Sequence, residues 1–140
     1  MYAMAHPDKL AVIDDRPGKG VVTRTYAEHN AAANRLANVL ADRGVGPRTK
    51  IVWCGQNSIG VVTAVNAAAK LGATSVPLNY RLSDEEAAYV TDHSDTSIVI
   101  VDAEFAPMFQ RIRDQIPKVT TVFVYDGAPP ADNGDMSTAG

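Results

Sequence analysis

The feature that most constrains this chain is a rhythm. Short apolar runs begin near Ile51, Ala73, Ser97 and Val119, 22 to 24 residues apart, with one helix-length segment between each pair. Ile51–Cys54 and Ser97–Val101 are continuous apolar stretches, too short for helices and suited to strands covered on both faces. Strand, helix and parallel strand form a right-handed crossover unit. The spacing therefore predicts an α/β, doubly wound, mostly parallel sheet of about four strands with helices on both faces. No sequence repeat accompanies it, which argues against a solenoid.

Local punctuation supports this reading. Leu10 to Asp14 and Val21 to Thr25 flank the turn residues of Arg16–Gly20 (RPGKG), which predicts an N-terminal β-hairpin. Thr25 with Glu28, and Ser83 with Glu86, have the spacing of capping boxes and open helices at about Tyr26 and Asp84. Gly44 and Gly72 end the first and second helices. A further helix is expected over Asp102 to Gln115. The helix from Asn57 or Ser58 to Leu71 shows almost no polar face, so Val61, Val62, Val65 and Leu71 are expected to be buried, and Val65→Asp to unfold the domain. Residues 1–126 read as one α/β subdomain, and 127–140 (GAPPADNGDMSTAG from Gly127), without periodicity, as a mobile linker or tail.

Composition narrows the function classes. A net charge of -3 with 21% charged residues shows no basic excess for a phosphate backbone, so nucleic acid is not an expected partner. One cysteine, Cys54, excludes an internal disulfide, and the opening MYAMAHPDKL lacks the apolar core of a signal peptide, so a cytoplasmic protein is expected.

Candidate chemistry is sparse. His6, His29 and His93 are far apart and in no metal-ligand spacing, and each reads as a surface or capping residue. Cys54 ends a strand and reads as a small apolar group. Asp14 with Asp15, and Asp84 with Glu85 and Glu86, are explained locally as a turn entry and a helix start. Asn57 and Ser58 fall at a strand-to-helix turn on the carboxyl edge of the sheet, where such folds place ligands, and are candidates both for a cleft and for a helix cap. Arg81 follows a strand to the same edge and is a cleft candidate or an exposed cation. No catalytic, cofactor-binding or metal-ligating residue is assigned.

Five blocks in order carry a resemblance. PDKLAV (7–12), TYAE (25–28), ANRLANVLADRGV (33–45), QNS (56–58) and AAAKLGATSVPLNYRLSDEE (67–86) resemble the adenylate-forming superfamily, most of all its fatty-acid and other acyl-CoA synthetases. The resemblance implies that the chain is the N-terminal subdomain of an acid–CoA ligase. That enzyme would use ATP and magnesium to make an acyl-adenylate from a fatty or other carboxylic acid, then pass the acyl group to CoA. It also implies that the phosphate loop, the adenine motif, the ribose-binding aspartate and the C-terminal lysine belong to sequence absent here. This chain alone is expected to bind no cofactor and to be inactive, with the remainder of the polypeptide as its partner. An exposed docking face would favour self-association, and the resemblance leaves peripheral membrane attachment of the parent open. The competing readings are a free-standing nucleotide- or protein-binding module and a truncated inactive paralogue.

Overall fold

The computed structural model describes residues 2–126 in full and the backbone of 136–138. A single helical turn, α1 (Tyr2–Ala5), precedes the hairpin of β1 (Leu10–Arg16) and β2 (Gly20–Thr25). Then follow α2 (Tyr26–Asp42), β3 (Lys50–Cys54), α3 (Ile59–Lys70), β4 (Thr74–Leu78), α4 (Asp84–His93), β5 (Ile98–Asp102), α5 (Ala106–Arg111), β6 (Thr121–Tyr125) and β7 (Met136–Thr138).

β3 to β7 form one parallel sheet in the order β4-β3-β5-β6-β7. The chain leaves β3 in one direction, returns across it and continues outward on the other side, which is doubly wound topology. The side-chain alternation of a strand divides the core accordingly. Ile51 and Trp53 of β3, with Ile98, Ile100 and Phe123, pack beneath α2 and α3. Val52 and Cys54, with Val99, Val101 and Val122, face α4 and α5. All five residues of β5 are buried, as a strand covered on both faces requires.

Helix entries follow the sequence closely. Thr25 Oγ1 accepts from Glu28 N at 3.2 Å while Glu28 returns a carboxylate to Thr25 N at 2.8 Å, and Ser83 with Glu86 repeats the arrangement at 3.2 and 2.9 Å. Gly44 and Gly72 take φ of 83° and 69° beyond the ends of α2 and α3.

Three expectations are corrected. α3 buries its small residues, Gly60, Thr63, Ala64, Ala67 and Ala68, against the sheet, while Val65 is 44% exposed and Val61, Val62 and Leu71 are only partly covered. Close approach to the strands selects small side chains on the inner face, so Val65 points outward. The expected helix over 102–115 is broken into a 3-10 turn (Ala103–Phe105), α5 and a second 3-10 turn (Arg113–Gln115). Asp102 completes β5 and caps the first turn with its carboxylate, and Pro107 lies at the start of α5. Asp14 lies within β1 rather than at a turn. The sheet also has a fifth strand, because Met136–Thr138 pairs with β6; the rest of the predicted tail, 127–135 and 139–140, lies outside the described residues.

Candidate functional site

The carboxyl ends of β3, β4 and β5 meet at one edge of the sheet. The strand order reverses at β3, so the crevice between β3 and β5 is the place where this topology usually holds a ligand. Here it is bridged by protein. A Cβ on Gly55 would lie 2.8 Å from Asp102 Cβ, so only glycine allows the two loops to approach this closely. Gln56 Nε2 donates to the Glu104 carboxylate at 3.0 Å across the same gap. Open space lies instead beside β4, in a depression of about 320 Å³ lined by Trp53, Asn57, Pro77, Asn79 and Tyr80 among others.

The three sequence candidates separate at this edge. Ser58 is buried, and its Oγ accepts from Gly60 N at 3.2 Å as the α3 cap. Asn57 is exposed and lines the depression. Arg81 is exposed beyond β4, with its guanidinium 5.5 Å from the Tyr80 ring centre and its backbone N–H donated to Asn79 Oδ1 at 3.0 Å. Tyr80 packs on Phe105 with centroids 5.0 Å apart, which ties the β4 and β5 exits together. The edge thus offers amides, an aromatic pair and one cation.

Two further polar residues shape the region without having signalled it in sequence. The Asp14 carboxylate, from the hairpin, accepts from Ile59 N at 2.8 Å and from Arg16 Nε at 2.9 Å. It caps the α3 N-terminus alongside Ser58 from 45 residues away and is almost fully buried. Arg24 Nη1 donates to Thr63 Oγ1 at 3.0 Å, a second clamp between hairpin and α3. Both are long-range partnerships, so no local spacing marks them.

Neither an acid–base pair nor an activated nucleophile is assembled at the edge. Burial, reinforced by the Asp102 carboxylate, pushes the Cys54 thiol up to about 12, far from thiolate chemistry. Among the described residues no three His, Cys, Asp or Glu side chains converge as metal ligands, and no helix is long and apolar enough to cross a membrane.

Comparison with known proteins gives this edge its context. The family described as AMP-binding enzyme matches residues 2–140. The chain belongs to the AMP-binding enzymes. Among curated relatives, the long-chain-fatty-acid–CoA ligase FadD13 of Mycobacterium tuberculosis is 37% identical over 107 residues, 76% of this chain and 21% of that protein. The crotonobetaine/carnitine–CoA ligase of Escherichia coli is 34% identical over 131 residues, 92% of this chain and 25% of that protein. The crystal structure of the N-terminal domain of FACL13 from M. tuberculosis, solved with an inhibitor, superposes with a TM-score of 0.80 at 34% identity, covering 87% of this chain and 31% of that one. Coronafacic acid ligase from Pectobacterium brasiliense shares the fold with a TM-score of 0.86 at 18% identity, covering 99% of this chain and 27% of that one.

This AMP-binding enzyme chain therefore spans about a fifth to a third of the length of these relatives and corresponds to an N-terminal portion of the AMP-binding domain. The ordered blocks that resembled acyl-CoA synthetases are accounted for by that membership.

Proposed function

We propose that the chain is the N-terminal scaffold of an ATP-dependent acid–CoA ligase, which joins a carboxylic acid, in the first instance a fatty acid, to CoA through an acyl-adenylate. The observation that carries this reading is the family match over residues 2–140, combined with relatives named as CoA ligases at 34 to 37% identity. ATP, magnesium and CoA belong to that reaction, but the donor set here does not fit ATP with its metal. The carboxylates near the edge are engaged, Asp14 with Ile59 and Arg16 and Glu104 with Gln56, and the hydroxyl of Ser58 is spent on its own helix. No step is therefore assigned to these residues.

The scaffold role rests on what the chain does build. A sheet buried on both faces holds Asn57 and Arg81 on one edge, where they form part of the wall facing the remainder of the enzyme. The hairpin, a two-stranded ribbon with Leu10, Ile13 and Val21 exposed on one face, supplies an apolar surface for the remainder of the polypeptide or, in its absence, for a second copy. The reading places the ligase in the cytoplasm and leaves room for peripheral membrane association of the parent.

The test is direct. The purified 140-residue chain, given ATP, magnesium, CoA and palmitate, is expected to release no pyrophosphate, because electrostatic stabilisation of the phosphoryl transition state needs groups it lacks. Turnover by the chain alone overturns the scaffold reading. Micromolar binding of ATP, AMP or CoA by calorimetry would favour a self-sufficient binding module instead.

A further inference from the structure

On the outer side of the α2–α3 layer, away from the sheet, lies a groove of about 550 Å³ closed on its far side by α1 and β1. Its size is that of a small-molecule site, and it shares no lining residue with the carboxyl-edge depression. The floor is apolar and shallow-chained: Val12, Ala33, Val62 and Ala69 leave room where larger residues would fill it. One lip is polar, formed by His29, Asn30, Asn66 and Lys70.

The hydrogen bonding of that lip is unbalanced. Asn66 Nδ2 donates to Val62 O at 2.9 Å and lies 3.1 Å from His29 Nε2, which fixes Nε2 as the acceptor and leaves the ring proton on Nδ1. Nδ1 is covered and has no partner among the described residues. Lys70 gives one of its three N–H donors to Asn30 Oδ1 at 2.8 Å. No carboxylate lines the groove, and the charges acting on His29 are the cations Arg24 and Lys70. The lip therefore has donors in excess and a positive field, beside an apolar floor.

We infer that this groove binds a small amphipathic carboxylate, with the charged head on Lys70 and the apolar body along Val12, Ala33, Val62 and Ala69. The carboxylate accepts from the Lys70 donors that Asn30 does not take, and charge-assisted hydrogen bonds to an ammonium are the strong kind. The apolar body covers Val12, Val62 and Ala69, which are partly or fully exposed, over the buried Ala33. This site lies apart from the carboxyl edge and stands or falls independently of the ligase reading.

Octanoate is the probe, titrated into the isotope-labelled 140-residue chain and followed by amide chemical shifts, with octan-1-ol as a neutral match for its body. Saturable shifts are expected at Ala33, Val62, Asn66 and Lys70. Lys70→Met should weaken octanoate about tenfold, the loss of one charged hydrogen bond, while leaving octanol unchanged. Ala69 is exposed, so Ala69→Phe fills the groove without disturbing the core and should abolish both. Three results overturn the inference: no saturable shift at millimolar octanoate, shifts that ignore Lys70→Met, or a dimer by light scattering that covers these same amides without ligand.

Discussion

Asp14 joins the hairpin to α3 through one carboxylate, so the two halves of that contact stand on a single residue. Asp14→Ala strips the acceptor from a buried N–H and leaves the partly buried Arg16 without its partner, which should cost about 2 kcal/mol. Asp14→Asn retains an oxygen for Ile59 N and should cost less, and urea unfolding of the two variants measures the order. Gly60 is similarly specific, because an added Cβ would lie 2.6 Å from the Tyr125 ring and force that ring aside. Cys54 is fully buried with its thiol raised to about 12, so alkylation at pH 8 should proceed at the rate of unfolding and accelerate sharply in denaturant. Rapid labelling of the native chain would contradict this.

At the scale of elements, α3 presents the clearest contrast. Val65→Asp is expected to change stability by no more than about 0.5 kcal/mol, whereas Ala67→Leu, at a site with no exposure, should cost about 1–3 kcal/mol by overpacking the sheet face. Thermal melts of both variants decide the orientation of this helix. α4 is the acid-sensitive element. The Arg111 guanidinium grips Asp84 at 2.7 and 2.9 Å, the Ser83 N–H and hydroxyl face Glu86, and Lys118 holds Asp95; each carboxyl lies below its ordinary value. Carboxyls depressed in the fold contribute stability that is full above about pH 5 and is lost as pH falls through their lowered values. His29 acts in the same direction at higher pH, since burial and the nearby Arg24 and Lys70 lower its pKa and protonation below about pH 6.5 then opposes the fold. The urea midpoint should therefore fall between pH 7 and pH 4, and less steeply in Asp84→Asn.

These elements also show what the sequence makes legible. Capping boxes join residues three apart, and βαβ spacing is a property of chain length, so both can be read in one dimension. The outward turn of Val65 cannot, because an apolar helix does not reveal which apolar side meets a sheet too close for valine. Asp14 capping α3 and Arg24 reaching Thr63 depend on where the hairpin folds back, which no local pattern encodes. β7 pairs through its backbone, without an alternating pattern to announce it. Of the residues at this edge, Ser58 at the cap was legible from its turn, whereas the bridge of Gln56 to Glu104 required the β3–β5 neighbourhood to be known.

At the scale of the whole molecule, the sheet order has a consequence for synthesis. β3 is the first strand of the sheet to be made, yet both its neighbours come later, β4 beginning at Thr74 and β5 at Ile98. Its apolar run Ile51–Cys54 is among the most deeply covered in the finished fold. With about twenty residues between β3 and β4, and translation at about 5–20 residues per second, that run waits roughly one to four seconds without a partner strand, and longer for β5. On the ribosome, then, a strand from the interior of the mature sheet is a sticky segment that the nascent chain presents without a partner, and a natural place for a holding chaperone to engage before α3 has swung across to cover it.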